Sequence, residues 1–265
     1  MAISKFFDEF PVRMVSTGAD NIKIVTDIFR RVRIREDYQE LVQAYYEQDL
    51  QDAERPDEIA EKEYQQPTLH WMTMLVNNVI NPYHDWVMTD KTMDNFIATK
   101  YPNRFVTLTS SHFDSSGKLF LPNETIITSG GASGTVVSFD ASNLQLIYKL
   151  TTASNFADTN VITGSSSDVT GTVTGNAGLE RNAVSHYEIQ RELRDDSIER
   201  IVVDKGVSRS LPNPLNNNTM ETYTATAVTY SEKEINRNDD NRKIKLLDSN
   251  RITDFKKDFK KKITL

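Results

Sequence analysis

Residues 107–178 constrain the fold more than any other part of the chain, because the composition changes abruptly there. This stretch of 72 residues holds eight of the ten glycines, 12 threonines and 12 serines, but only seven charged residues. Short apolar runs (LFL, TII, TVVSF, LQLIYKL, TNVIT) recur in it, separated by Gly and Ser turns. β-Branched runs bounded by turn residues are a signature of strands and hairpins. Two pieces look alike, TIITSGGASGTV at 125–136 and NVITGSSSDVTGTV at 160–173, lying 35 to 37 residues apart with two extra residues in the second. They predict a duplicated β-hairpin inside a small all-β insert; two copies do not make a solenoid.

On either side the chain is charged and helix-rich. Its 265 residues suit one large domain or two small ones, at roughly 100–200 residues per domain. Near the end, ITDFKKDFKKKI places Ile252, Phe255, Phe259 and Ile263 at spacings of three, four and four. That is one apolar helical stripe with lysines on the other face. Asp248 or Ser249 suits its N-cap, after a strand-like RKIKLL. A basic amphipathic helix can lie on a membrane, but four apolar anchors favour docking on protein. LPNPLNNNTM at 211–220 reads as loop. Two N-glycosylation triplets, at Asn123 and Asn217, carry no weight without a secretory leader. MAISKFFDEFPVRM lacks the long apolar run of such a leader. No window approaches the ~20 apolar residues that span a bilayer, so the expectation is a chain soluble by itself.

There is no cysteine, which excludes disulfides, thiolate nucleophiles and cysteine zinc sites. The net charge of −7, from 38 acids and 31 bases, argues against a dedicated duplex-DNA binder. The charge is uneven. Arg30, Arg31, Arg33 and Arg35 form a basic knot. Residues 36–63 carry 11 acids against Arg55 and Lys62, and the last 15 residues carry six bases against Asp254 and Asp258. Such blocks suit charge-complementary docking, or are simply solvated faces.

The chemically richest stretch is LHWMTMLVNNVINPYHDW, residues 69–86, with both tryptophans and two of the four histidines. Upstream, Pro56 suits the first position of a helix, and Asp57 and Glu58 favour its N-terminus electrostatically. Ile59, Ala60 and Tyr64 give that helix one apolar face, and Pro67 ends it. A second helix follows, with Leu69, Met72, Val76 and Val79 at three, four and three, widened by Trp71 and Leu75. Asn77 and Asn78 suit its end, and Asn81-Pro82 makes a turn. The expectation is a helix–turn–helix pair followed by an aromatic extended segment.

The competing reading is a His-Asp or metal-dependent hydrolase built on His70, His84 and Asp85. The two histidines sit on different elements, there is no HExxH, and His112 and His186 are far off in sequence. A metal site needs three or four ligands with a supporting shell. No GxSxG marks a serine nucleophile, and SGGASG lacks the lysine of a phosphate loop. The expectation is therefore no enzyme, no cofactor and no metal. Burying one tryptophan removes about 150–250 Å² from water, or about 4–6 kcal/mol as an upper bound. The trio Trp71, Tyr83 and Trp86 is therefore expected to carry a small core.

The run RPDEIAEKEYQQPTLHWMTMLVNNVINPYHDWVMT resembles the LysM-like segment of the baseplate wedge subunit of T4-type contractile phages, the gene product 53 family. FFDEFP followed by TDIFRRVRI, Tyr45-Tyr46, the piece from Phe96 to Tyr101-Pro102, and the closing NRKIKLLDSNRITDFKKDF fit the same order. The resemblance covers about residues 1–104 and 181–265. It implies a virion protein of the tail baseplate, assembled in the host cytoplasm. Its partners would be other wedge and inner-baseplate proteins in a six-fold ring, with no nucleic acid and no membrane. Such a subunit grips the wedge core and joins neighbouring wedges around the hub. The alternative it leaves is a LysM-like peptidoglycan-binding module. Such modules often open on a Gly-Asp-Thr-like turn; here the opening is Arg55-Pro56-Asp57, and fold does not carry function with it.

The expected fold is α+β: an N-terminal arm and helix (1–53), a LysM-like helix-pair/strand module (54–104), a β-rich insert (105–180), and a C-terminal segment ending in a strand and amphipathic helix (181–265). The module core is expected from Ile59, Tyr64, Leu69, Trp71, Met72, Leu75, Val76, Pro82, Tyr83 and Trp86. Phe6, Phe7, Phe29, Arg30, Arg31, Arg33, Phe255 and Phe259 are the expected interface.

Overall fold

The computed structural model describes residues 6–16, 18, 22–28, 45–51, 54–109, 119–152, 156–194, 197–216 and 219–264. In chain order the first strands are β1 (Val12–Ser16), β2 (Ile22–Thr26) and β3 (Tyr45–Asp49), then helices α1 (Pro56–Tyr64), α2 (His70–Val76) and α3 (Asp90–Lys100). Six strands follow: β4 (Arg104–Leu108), β5 (Thr125–Thr128), β6 (Ser133–Asp140), β7 (Gln145–Leu150), β8 (Val161–Gly164) and β9 (Thr170–Leu179). Next come β10 (Val184–Glu192), β11 (Ile198–Val203), β12 (Ser208–Pro212), β13 (Met220–Thr224) and β14 (Thr226–Thr229). The chain closes with α4 (Tyr230–Asp240), β15 (Lys243–Leu247) and α5 (Ile252–Thr264). Two compact units result: residues 1–92 with 236–265, and residues 93–235. Among the described residues no helix is long and apolar enough to cross a membrane.

The first unit is built on the helix pair. Pro56 opens α1, and the Glu58 carboxylate accepts the Arg55 N–H at 3.3 Å. Gln65 ends the helix in the left-handed region at φ 55°, its N–H returning to the last-turn carbonyls. Pro67 then starts a 3-10 turn, Pro67–Leu69, that runs into α2. The strands flanking this pair are β3 and β15, antiparallel in the register Lys243↔Asp49 to Leu247↔Tyr45. This corrects one expectation. The extended aromatic segment after α2 is not the module's closing strand, since residues 82–86 are turn and bend. The strand that pairs with β3 is β15, from the far end of the chain, where Ile244, Leu246 and Leu247 supply buried side chains.

The second unit contains a closed six-stranded antiparallel barrel in the order β4-β7-β6-β5-β8-β9, with β9 returning to β4. Its strands occupy the Gly/Ser/Thr-rich stretch read above as β-rich. Alternate residues point inward, and Val106, Leu108, Ile126, Val136, Leu146, Tyr148, Ile162 and Val173 fill the interior. The two similar sequence pieces form the hairpins β5–β6 and β8–β9, which lie side by side through β5–β8 pairing. Burial aligns Ile126 with Ile162. The ring closes across a bulge, where the β4–β9 register shifts between Phe105 and Thr107. Gly175 stands in the bulged strand at φ 78°, a conformation that costs glycine little. The Glu124 carboxylate is buried and accepts the N–H groups of Leu121, Ser166 and Ser167 and the Ser167 hydroxyl. Beyond the barrel, β10 pairs with β11 and β14, and β12 pairs with β13.

Candidate assembly surface

Two clusters hold the first unit together. In one, the Trp71 ring lies tilted at 4.8 Å from Phe259 and 5.3 Å from Phe6, while Phe6 meets Phe10 edge-on at 4.8 Å. Tyr64, Leu69, Met72, Leu247 and Ile263 complete it, with Leu75, Ile252 and Phe255 packed against it. The other cluster joins Ile59, Trp86, Val87, Leu50, Ile244 and Leu246, with Val79 at its margin. The Trp86 indole N–H donates to the Glu54 carbonyl at 2.7 Å. Val76 is buried.

Side chains of the helix pair also cover the outer edge of β15. The Asn77 amide donates to the Lys245 carbonyl at 2.8 Å and accepts the Lys245 N–H at 2.7 Å. It donates as well to the Thr73 carbonyl at 2.8 Å. The Tyr64 hydroxyl accepts the Leu247 N–H at 3.1 Å. Burial pushes that phenol up to about 12, so it stays neutral and can hold its place. A bare strand edge would otherwise be a template for pairing with another chain.

Several expected positions differ. Tyr83 is 82% exposed and is not part of the core, and Pro82 is exposed beside it. The cause is local. Asn81 makes a side-chain-capped turn by accepting the Tyr83 N–H at 3.1 Å, and the Asp85 carboxylate accepts the Asn81 N–H at 2.9 Å. Those bonds turn the chain outward before Trp86 re-enters. Phe259 was expected at an interface but is 4% exposed, and Phe255 is part-buried. The α5 stripe is consumed against Trp71 rather than offered to a neighbour. Phe6 belongs to the same cluster, whereas Phe7 is 53% exposed. Phe29, Arg30, Arg31 and Arg33 lie outside the described residues, as does Arg35.

The groups weighed for catalysis are engaged in structure. The Asp85 carboxyl is held below its ordinary range by the Asn81 N–H, then by the Ile80 N–H and Arg237, whose guanidinium donates to it at 2.8 Å. His70 Nδ1 lies 3.0 Å from the Pro67 carbonyl, and His84 is exposed. Among the described residues no three His, Cys, Asp or Glu side chains are grouped so as to hold a metal ion.

What the unit leaves open to solvent is the β1–β2 hairpin. Its register runs Val12↔Thr26 to Ser16↔Ile22, and every residue in both strands is exposed. Val12, Met14, Ile22 and Ile24 share one face at 66–77% exposure; Val15 and Val25 lie on the other with Arg13 and Lys23. The root is firm: Asp27 donates its N–H to Pro11 at 2.8 Å and its buried carboxylate accepts Arg13 at 2.8 Å. Sequence reasoning missed this hairpin. The alternation VRMVS and IKIVT around a glycine-containing gap was the available signal.

Residues 2–123 match the family described as base plate wedge protein 53. The chain is also 30% identical over 106 residues to the baseplate wedge protein gp53 of Enterobacteria phage T4. That alignment takes in 37% of this chain and spans half the length of the relative. The resemblance drawn from the opening helix pair is thus found independently in its N-terminal part, while β15 and α5 lie beyond the matched residues.

Proposed function

We propose that this chain is a structural subunit of a phage tail baseplate wedge, working by protein–protein contacts and not by catalysis. The observation that carries this reading is the match of residues 2–123 to base plate wedge protein 53, which takes in the hairpin, the helix pair and the aromatic turn. The helix pair enclosed by antiparallel β3 and β15 supports a LysM-like module, used as a rigid platform. In finer detail, the subunit grips the wedge core, joins neighbouring wedges around the hub in a six-fold ring, and resides in the virion tail. It needs no cofactor, nucleic acid or membrane for that role. Mass spectrometry of purified virions and of isolated baseplates tests this. The chain is expected in both at a stoichiometry divisible by six; its absence from virions refutes the reading.

One observation favours a second reading. Tyr83 stands 82% exposed on a hydrogen-bonded turn, where an aromatic face can stack on a sugar ring. A LysM-like module binding peptidoglycan would retain the chain on cell-wall sacculi, and Tyr83→Ala would release it. No retention of the unmodified chain sinks that alternative.

A further inference from the structure

The β3–β15 sheet of the first unit has two edges, and only one of them is covered. Along β15 the outward backbone groups of Lys245 and Leu247 are met by the Asn77 amide and the Tyr64 hydroxyl. In an antiparallel ladder, directly opposed residues alternate between bonded and non-bonded pairs. The register Lys243↔Asp49, Lys245↔Glu47 therefore makes Glu47 and Asp49 the residues of β3 whose backbone groups point away from β15. The Leu50 N–H, which donates to the Arg242 carbonyl at 2.8 Å, fixes the same phase. Among the described residues β3 has no second strand beside it, and no group bonds the N–H or C=O of Glu47 or Asp49. Held by β15 on its other side, this open edge is already in the conformation that a further strand needs, so pairing costs it little freedom.

We propose that β3 is a docking edge, extended by a strand of another protein of the tail assembly whose residues alternate basic and apolar; this rests on the baseplate reading above. The backbone dictates the conformation of that partner. A row of free N–H and C=O groups is complemented by an extended segment, which binds through main-chain hydrogen bonds and is chosen through its alternate side chains. The side chains dictate its chemistry. Glu47 and Asp49 are exposed on one face of β3, and the residues opposite them on β15 are Lys245 and Lys243. Opposite charges across a ladder stabilise it and like charges destabilise it, so a strand on the open side meets the requirement that β15 meets on the closed side. Charge on an edge commonly discourages pairing; charge of one sign rejects acidic strands and admits basic ones. On the other face Tyr46 is 41% exposed, with its hydroxyl donating to the Glu63 carboxylate. Its ring is thereby fixed beside the edge, where an apolar side chain of the incoming strand can pack on it.

Residue-resolved hydrogen–deuterium exchange tests this, on the full chain alone and in a wedge assembled with the other, identified tail proteins of its virion. The Glu47 and Asp49 amides are expected to exchange freely in the chain alone and at least ten-fold more slowly in the wedge. The Tyr46 and Gln48 amides, which face β15, should be slow in both. Glu47→Gln/Asp49→Asn is expected to reduce retention of the docked protein several-fold at low salt and less at high salt, with an unchanged urea midpoint. Glu47→Pro deletes an outward N–H, a substitution that an edge strand tolerates, and should reduce retention at least as much. If the unmodified chain enters no wedge, both the baseplate reading and this proposal fail. If it enters the wedge while the Glu47 and Asp49 amides still exchange freely, the edge proposal is overturned and the baseplate reading stands. Slow exchange at these amides in the dilute chain alone would show the edge covered by the chain's own residues. Slowing that grows with the concentration of the chain alone would make a second copy the occupant. Either result overturns the proposal.

Discussion

Asn77→Ala tests whether the helix pair and the C-terminal strand form one cooperative module. The wild-type amide makes three bonds at 2.7–2.8 Å, to the Thr73 carbonyl and to both backbone groups of Lys245. Each such bond is worth about 1 kcal/mol net, and a backbone group left without its partner costs roughly 1–3 kcal/mol. Access of water to the part-buried site brings the expected loss to about 2–4 kcal/mol. Asn77→Asp should cost more at neutral pH, since it sets a negative charge where the amide donor met two carbonyl oxygens. Both tryptophans, Trp71 and Trp86, lie in the first unit and none lies in residues 93–235. Tryptophan fluorescence during urea unfolding therefore reports this unit alone. With a slope of about 2 kcal/mol/M, the Asn77→Ala midpoint should fall by about 1–2 M. A shift below about 0.3 M would refute the idea that β15 is tied to the helix pair through Asn77.

Trp86→Phe removes the indole donor to the Glu54 carbonyl, and the same fluorescence assay, read on Trp71, should show a loss of about 1–3 kcal/mol. Glu124→Ala strands three backbone N–H groups and the Ser167 hydroxyl where the chain enters β5 and leaves β8; far-UV circular dichroism should show the second unit losing about 3–5 kcal/mol, with the tryptophan signal unmoved. The carboxyls of Asp85 and Glu54 titrate below their ordinary 3.8 and 4.5 when folded, through the Asn81 N–H for the first and Lys62 for the second. A lowered folded pKa adds stability above the unfolded value, and that stability is lost as pH falls through the folded one. The first unit should therefore weaken below about pH 4, and Asp85→Asn should flatten that dependence; an equally steep acid limb in the variant would count against it.

The helix pair was legible because its signals are local. Pro56 and Pro67 open the segments, the apolar spacing runs within single turns, and Asn77, Asn78 and Asn81 mark the stop and turn. The α5 stripe was legible for the same reason, but not its destination, since nothing in Phe255 or Phe259 distinguishes an internal partner from an external one. The β-rich composition announced strands, while barrel closure depends on β4 meeting β9 across the whole insert. Aromatic density misled the assignment of Tyr83. Its outward position follows from two hydrogen bonds in a turn, to Asn81 and Asp85, which no hydrophobic periodicity encodes. The β1–β2 hairpin shows the converse limit: alternation identifies strands, but only the folded surroundings show that neither face is covered.

The distant pairing of β3 with β15 raises the question of how one module tolerates a whole second unit between its parts. Closing a flexible loop costs only about 0.6 kcal/mol for each doubling of its length, and folded ends shorten the effective loop further. Within residues 93–235 the two ends are clamped together: the Tyr101 hydroxyl and the Lys100 ammonium both donate to the buried Glu234 carboxylate, at 2.7 and 2.8 Å, and the Tyr101 and Tyr230 rings lie 4.9 Å apart. The first unit clamps its own break in the same manner. Asn238 accepts the Met88 N–H at 2.8 Å and donates to the Met88 carbonyl at 3.1 Å, and Arg237 reaches Asp85. Each unit thus holds its two chain ends together through its own polar contacts. For the first unit the insert then amounts to a short connection between Met88 and Asn238, which brings β15 to the edge that Asn77 and Tyr64 are placed to receive. That division lets the barrel and its decorations vary without disturbing the surface formed by the hairpin and helix pair.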